Sequence, residues 1–334
     1  MTIYEALATA TKAVPPHEAK LLLAHCMGLT ATDLLIKNHQ PLDETAKGAF
    51  FAAIERRIAN EPLQYILGEW EFMGLKMKTD SRALIPRPET ELLVEEALRY
   101  IGRPYANDIS SPSRGATPGH GKRISFVTSA RGRCDFIHGS GREDPAPTVC
   151  RAVDSGLSST VLSPDSSSTP IRVLDVCTGS GCIAIAIAKL SGASVTATDI
   201  SQKALSLAKE NAELHGLTNK INFIQSDLLN NLNNQVFDII ISNPPYIPTT
   251  ELSTLQPELA HEPTLALDGG QDGLDPYRKL IPQALASLTP GGTLLLEIGP
   301  PTVEAIMKDS GYGMIRTIND YGGLPRIVTG TRMH

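Results

Sequence analysis

The stretch VLDVCTGSG at residues 173–181 decides the fold class, because it predicts an apolar strand that runs into a glycine-rich turn and then a helix. Glycines in such a turn let a ligand approach the backbone closely. Asp199 ends the next predicted strand, 18 residues beyond Gly181. A carboxylate at that distance can accept hydrogen bonds from both hydroxyls of a ribose. The stretch therefore predicts an α/β domain that binds a nucleoside.

The glycine spacing narrows the class of ligand. The full G-x-G-x-x-G of dinucleotide-binding proteins is absent after Gly179, and no Walker lysine follows. A nucleoside without a pyrophosphate therefore fits the turn better than a dinucleotide does. Asp227 follows a third predicted strand and strengthens this interpretation, although on its own it could equally be a turn or N-cap residue.

Strands and helices alternate from residue 171 onward. The apolar runs predict strands at 172–175, 194–198, 221–225, 238–242, 292–298 and 315–319. Helices are predicted between them, notably at 182–190, 202–215 and 276–287. Such alternation is typical of a mostly parallel sheet that is covered by helices on both faces.

The N-terminal part of the chain follows a different pattern. Residues 1–67 carry apolar side chains at helical spacing, and they predict a small helical domain of the kind that recognises a partner. Residues 68–83 alternate apolar and polar side chains, which predicts a hairpin linker. A helix predicted to open near residue 89 places residues 84–103 with residues 171–334 in the second domain.

Residues 104–170 interrupt this second domain. Of these 67 residues, 27 are Ser, Pro or Gly, and the apolar patches are too small to offset the entropy of an ordered chain. We therefore expect a disordered insertion, since so long a loop is unusual inside a compact domain. A basic binding arm is the alternative, but seven Lys or Arg residues are balanced by six acids.

The sequence SNPPY at residues 242–246 carries the predicted chemistry. Two prolines end the preceding strand, and Asn243 is held extended because it precedes a proline. The turn presents the amide of Asn243, the carbonyl of Pro244 and the ring of Tyr246. Such a turn can accept two hydrogen bonds from an NH2 group and pack against the group that carries it. Taken alone, it could also be an ordinary loop at the end of a strand.

The order D-x-x-T-G-S-G, A-T-D, S-D-L and S-N-P-P-Y resembles the class I, Rossmann-like methyltransferases that use S-adenosyl-L-methionine. The upstream LIPRPETE at residues 84–91 is similar to one branch, the release factor glutamine methyltransferases. These enzymes modify the glutamine in the Gly-Gly-Gln loop of peptide chain release factors. The related ribosomal protein L3 glutamine methyltransferases usually differ after I-P-R. Two features depart from the family, namely Cys177 where a glycine is usual and the insertion at 104–170.

The resemblance implies roles for individual residues. The implied cofactor site consists of Asp175, Cys177, Thr178, Gly179, Ser180, Gly181, Asp199, Asp227, Leu228 and Asn243. The implied substrate site consists of Arg87, Asn243, Pro244, Pro245 and Tyr246, of which Asn243, Pro244 and Tyr246 are catalytic. No general base is needed, because the methyl group arrives already activated. His261 and Glu262 are therefore expected to be structural.

The composition of the chain limits the kinds of partner that it can bind. A net charge of −6 disfavours direct binding to nucleic acid, and no apolar run approaches the roughly 20 residues of a membrane span. No signal peptide, CxxC or metal-ligand spacing is visible, so we expect a cytoplasmic monomer without a metal, acting on peptide chain release factors. Alternatives are an L3 glutamine methyltransferase, a DNA or RNA amino-methyltransferase with a basic face, or a non-catalytic cofactor-binding protein.

Overall fold

The computed structural model describes residues 1–102 and 170–334, so the predicted insertion lies outside the described residues apart from Pro170. The chain begins with five helices, α1 Ile3–Ala10, α2 Pro16–Met27, α3 Ala31–Ile36, α4 Glu44–Ile58 and α5 Leu63–Leu67. Capping residues explain several of the starts: Thr2 and Thr30 form capping boxes, and the side chain of Asp43 accepts from the Ala46 N–H. The helices enclose a small apolar core around Phe50.

A hairpin and one long helix lead into the second part. Strands β1 Glu69–Phe72 and β2 Leu75–Lys78 pair antiparallel, with Gly74 at a positive φ in their turn. Helix α6 Pro88–Ile101 follows, with a proline and two acids in its first turn. These residues suit the start of a helix. The N–H that proline lacks would have no partner in the first turn, and the acidic side chains interact favourably with the positive end of the helix dipole.

The remaining elements build one seven-stranded sheet. Its strands are β3 Arg172–Val176, β4 Ser194–Asp199, β5 Ile221–Gln225, β6 Phe237–Ser242, β7 Leu288–Glu297, β8 Tyr312–Asn319 and β9 Pro325–Arg332. The helices are α7 Cys182–Ser191, α8 Gln202–Leu214, α9 Asp275–Ser287 and α10 Val303–Asp309, and three short 3-10 helices lie at Thr249–Thr254, Pro257–His261 and Thr264–Ala266.

The strand order is β5-β4-β3-β6-β7-β9-β8, with the first five strands parallel and β9 antiparallel to both its neighbours. The predicted α/β fold with a mostly parallel sheet is confirmed. Strand β9 was missed by the prediction. One apolar cluster packs α6 and α7 on one face of the sheet, and a second packs α9 and α10 on the other. Central strands are therefore buried on both sides.

This topology decides where a ligand can bind. The chain leaves β3 towards β4 and β5 on one side, and returns to β6 and β7 on the other. Ligands of open parallel sheets bind at such a switch point, outside the carboxyl ends of the strands. Across residues 1–102 and 170–334, no helix is long and apolar enough to span a bilayer, and no group of side chains could hold a metal ion.

Candidate active site

A cavity of about 380 Å³ lies at the carboxyl ends of β3, β4 and β5. Its volume suits a small molecule. Most of the predicted cofactor residues line it, namely Cys177, Thr178, Gly179, Ser180, Asp199, Asp227, Leu228 and Asn243. We call this space the first cavity.

Two predicted cofactor residues, Asp175 and Gly181, do not line the first cavity. Asp175 is fully buried, and its Oδ2 accepts hydrogen bonds from the Thr178 hydroxyl and from the Ala184 N–H. Burial raises the pKa of this carboxyl to about 7. A Cβ on Gly181 would lie 3.0 Å from that of Ala208. Both residues therefore shape the turn and the start of α7, and their contact with a ligand stays a prediction.

The cavity wall contains two side chains on left-handed backbone. Cys177 has φ of +60° and Leu228 has φ of +51°. Residues other than glycine rarely adopt such angles, and strained backbone of this kind concentrates at functional sites. The angle at Cys177 explains physically why a glycine would suit this position better. Burial raises the pKa of the Cys177 thiol, so the side chain stays neutral.

Asp199 lies on the cavity wall beside the glycine-rich turn. Its Oδ2 accepts from the Gly179 N–H at 2.9 Å, and its Oδ1 accepts from the Ser201 N–H at 2.8 Å. Burial raises the pKa of the Asp199 carboxyl, while these two N–H donors oppose that shift. The carboxylate thereby connects the glycine-rich turn to the start of α8 and lines the first cavity.

A second cavity, of about 500 Å³, adjoins the first. The two share six lining residues, which are Leu84, Ile85, Arg87, Asn243, Pro245 and Ala266. All five predicted substrate residues line the second cavity, which are Arg87, Asn243, Pro244, Pro245 and Tyr246. Its outer wall comes from the N-terminal helices, through His17, Glu18, Leu21, Arg57 and the residues from Pro62 to Gln64.

The Asn243 side chain is held from one side only. Its Nδ2 donates to the Thr90 hydroxyl at 3.2 Å, and that hydroxyl donates to Glu297 Oε2 at 2.7 Å. Residues 1–102 and 170–334 form no hydrogen bond with Asn243 Oδ1 or with the Pro244 carbonyl. Two acceptors therefore remain available, one on Asn243, which lines both cavities, and one on Pro244, which lines the second. Thr90 and Glu297 were missed from the sequence, although Thr90 lies in the LIPRPETE stretch that carries the family resemblance.

Tyr246 lies in a slot lined by glycines. A Cβ on Gly299 would fall 2.5 Å from the Tyr246 ring, and one on Gly269 would fall 2.8 Å from the Tyr246 Cα. Gly273 also contacts the Tyr246 backbone. Burial raises the pKa of the Tyr246 hydroxyl, which keeps the ring neutral. Only glycines let the ring lie this close to the neighbouring loops.

An ion pair fixes the segment that leads into α6. Arg87 pairs with the buried Glu262, whose other carboxylate oxygen accepts from the Ile85 N–H at 3.0 Å. His261 contacts the Ala59 carbonyl at 3.3 Å through Nε2. These contacts agree with the structural role expected for His261 and Glu262. They also explain how Arg87 comes to line both cavities.

A second ion-pair cluster joins the N-terminal helices to the sheet domain. The Arg57 guanidinium in α4 contacts Glu18 in α2 at 2.6 Å and Glu258 in a 3-10 helix at 3.0 Å. The hydrogen bonds to Glu18 and Glu258 raise the pKa of Arg57, so its side chain stays positively charged. This cluster forms part of the outer wall of the second cavity.

Comparison with known proteins gives consistent matches. The family described as PrmC N-terminal domain matches residues 2–68, and the family described as Methyltransferase small domain matches residues 151–270. The release factor glutamine methyltransferase of Deinococcus radiodurans is 36% identical over 89% of this chain and 84% of its own length. That of Moorella thermoacetica is 35% identical over 98% of this chain and 97% of its own.

Among solved structures, a methyltransferase from Pyrococcus furiosus is 21% identical and covers 49% of this chain and 76% of its own, with a TM-score of 0.39. A likeness at that level carries no argument about function. The sequence relatives are more informative, because they extend through both the helical part and the sheet domain.

Proposed function

The chain belongs to the release factor glutamine methyltransferase family, and we propose that the junction of its two cavities methylates the N5 amide nitrogen of the release factor glutamine. It is an S-adenosylmethionine-dependent transferase. The observation that carries the site assignment is the position of Asn243, which lines both cavities and has a free side-chain acceptor.

The residues of the first cavity fit S-adenosylmethionine. Asp199 offers a carboxylate to the two ribose hydroxyls, and the turn at 177–181 offers close backbone approach to the methionine part. Asp227 and Leu228, which also line this cavity, would hold the adenine. When bound, the cofactor supplies a methyl group that its sulfonium has already activated.

The chain's own residues orient the accepting amide. An amide nitrogen is a poor nucleophile, because its lone pair is delocalised into the carbonyl. Asn243 Oδ1 and the Pro244 carbonyl would accept its two N–H groups and turn the lone pair towards the methyl group. Such orientation can supply about 7–11 kcal/mol, and the same acceptors stabilise developing positive charge. Tyr246 packs on the amide plane, and the proton leaves after transfer.

The N-terminal helices, residues 1–67, would select the protein substrate. The position of His17, Leu21 and Arg57 on the wall of the second cavity supports this role. Methylation of ribosomal protein L3 or of a nucleic-acid amine is not favoured, because the named relatives act on release factors. A substrate that works in translation also supports a cytoplasmic location.

The test is to locate the methyl group. The protein would be incubated with methyl-labelled cofactor and, separately, with release factor, L3, DNA and RNA. We expect label on the Gly-Gly-Gln glutamine of release factor alone, located by peptide mass spectrometry. A release factor with alanine at that glutamine is the matched control and should stay unlabelled. Label on L3 or on nucleic acid instead would contradict the proposal.

A further inference from the structure

We propose that Thr90 and Glu297 are positioning residues, which decide which end of the Asn243 amide faces the substrate. This inference rests on the proposed function, because the amide direction matters only if Asn243 receives the substrate amide. Three separate elements supply the three residues, namely the first turn of α6, the end of β7 and the turn after β6.

The direction of the hydrogen bonds follows from the chemistry of the groups. An ionised carboxylate can only accept, so Glu297 takes the hydrogen of the Thr90 hydroxyl, at 2.7 Å. That hydroxyl then has only lone pairs to offer its other neighbour. Asn243 must therefore present its NH2 group to Thr90, at 3.2 Å, and its Oδ1 must face away. The free acceptor at the cavity junction is thus a consequence of Glu297.

Burial shields this pair of hydrogen bonds from water. Thr90 is 3% exposed and Glu297 is 1% exposed, so water does not compete for their hydrogen bonds. Glu297 also lines the second cavity. Its backbone is fixed as well, because its carbonyl accepts from the Tyr277 hydroxyl at 2.8 Å. The chain of bonds is thereby anchored in the sheet.

Protonation of Glu297 would reverse the direction of the hydrogen bonds that link Glu297, Thr90 and Asn243. A neutral carboxyl can donate to Thr90, and the Thr90 hydrogen could then turn to Asn243 Oδ1 and flip the amide. Burial raises the pKa of Glu297 to about 7, so the ionised form prevails only above that pH. The titratable and charged groups that act on Glu297 are Arg87, Glu89, Cys182, Tyr246, Tyr277 and Arg326.

Thr90→Val tests the hydroxyl with little change in shape. We expect the single-turnover rate at saturating cofactor to fall about 10- to 100-fold, the range for losing an outer partner of a functional side chain. The cofactor dissociation constant should change much less than the rate does, although Thr90 also lines the first cavity, and Thr90→Ser should restore most of the rate. Thr329→Val is the matched control, because Thr329 is equally buried in β9 and its hydroxyl has no partner.

Glu297→Gln gives a second and independent readout. Glutamine does not titrate, so this variant should lack the wild-type fall in rate below about pH 7. A wild-type pH profile in Glu297→Gln would overturn the inference. If the wild-type enzyme labels release factor, equal rates for Thr90→Val and Thr329→Val would also overturn the inference. A wild-type enzyme that leaves release factor unlabelled would instead overturn the proposed function, and this inference with it.

Discussion

The two cavities that meet at Asn243 are built in different ways. One side of the first is made of strand ends and short turns, such as 177–180 and Asp199, and the segments 82–90 and 263–279 form the other side. The second is made of side chains from the N-terminal helices, the segment 84–87 before α6, the turn after β6, the end of β7 and the loop that contains the 3-10 helices. We infer that cofactor binding and substrate handling can be damaged separately, with Asn243 as the point of contact.

The largest expected effect belongs to Asn243→Ala, which removes one acceptor and leaves the Pro244 carbonyl in place. By analogy with losing one oxyanion-hole donor, the single-turnover rate should fall about 100- to 1,000-fold. Cofactor affinity, measured by calorimetry, should fall much less. A near-normal rate with cofactor bound would return the N-P-P-Y turn to a purely structural role.

Asp199→Ala should have the converse effect. Loss of hydrogen bonds to a charged group should weaken cofactor binding by about 1.5–3 kcal/mol. The rate at saturating cofactor should change less, because Asp199 lines only the first cavity. Unaltered cofactor affinity in calorimetry would refute the ribose assignment.

Arg57→Ala probes the outer wall of the second cavity. The change leaves Glu18 and Glu258 without their shared cation, so the N-terminal helices should lose part of their hold on the sheet domain. We expect kcat/KM for intact release factor to fall about tenfold, equivalent to 1.4 kcal/mol. A short peptide containing Gly-Gly-Gln should be affected less.

Arg56→Ala is the matched control for this experiment. Arg56 lies beside Arg57 in α4, but it pairs with Glu61 and does not contact the sheet domain in the described hydrogen bonds. Loss of the Arg56 side chain should leave kcat/KM unchanged for both intact release factor and the short peptide. Equal losses for protein and peptide in Arg57→Ala would argue against a docking role for these helices.

The smallest expected effect is that of Cys177→Gly. Relief of the positive φ should stabilise the fold by about 1–2 kcal/mol, and the greater freedom of glycine in the unfolded chain should offset about half of this. We therefore expect the free energy of unfolding, measured by urea denaturation, to rise slightly. A clear loss of stability would mean that packing of the thiol outweighs the strain.

The first cavity was easier to predict than the second for a physical reason. Its turn and acids follow predicted strands directly, and parallel strands bring their carboxyl ends to one edge. The contacts around Asn243 join residues far apart: Thr90 lies 153 positions before Asn243 and 207 before Glu297, and Arg57 lies 201 before Glu258. Hydrophobic periodicity carries no information about such pairs.

Strand β9 was missed from the sequence for a local reason. Strand β9 contains Gly330 and begins at Pro325, two residue types that weaken a strand prediction. The structure explains the glycine, because a Cβ at 330 would fall 2.7 Å from the Met307 methyl group. Close packing against α10 therefore selects glycine over a strand-forming residue.

The division between the two cavities is tested most directly by the double variant Asp199→Ala/Asn243→Ala. Calorimetry would measure its cofactor affinity, and single-turnover methylation of release factor at saturating cofactor would measure its rate. We predict additivity: the fold-loss of affinity and the fold-loss of rate in the double variant should each equal the product of the losses in the two single variants. A coupling of tenfold or more in either quantity would contradict separate cofactor and substrate sites.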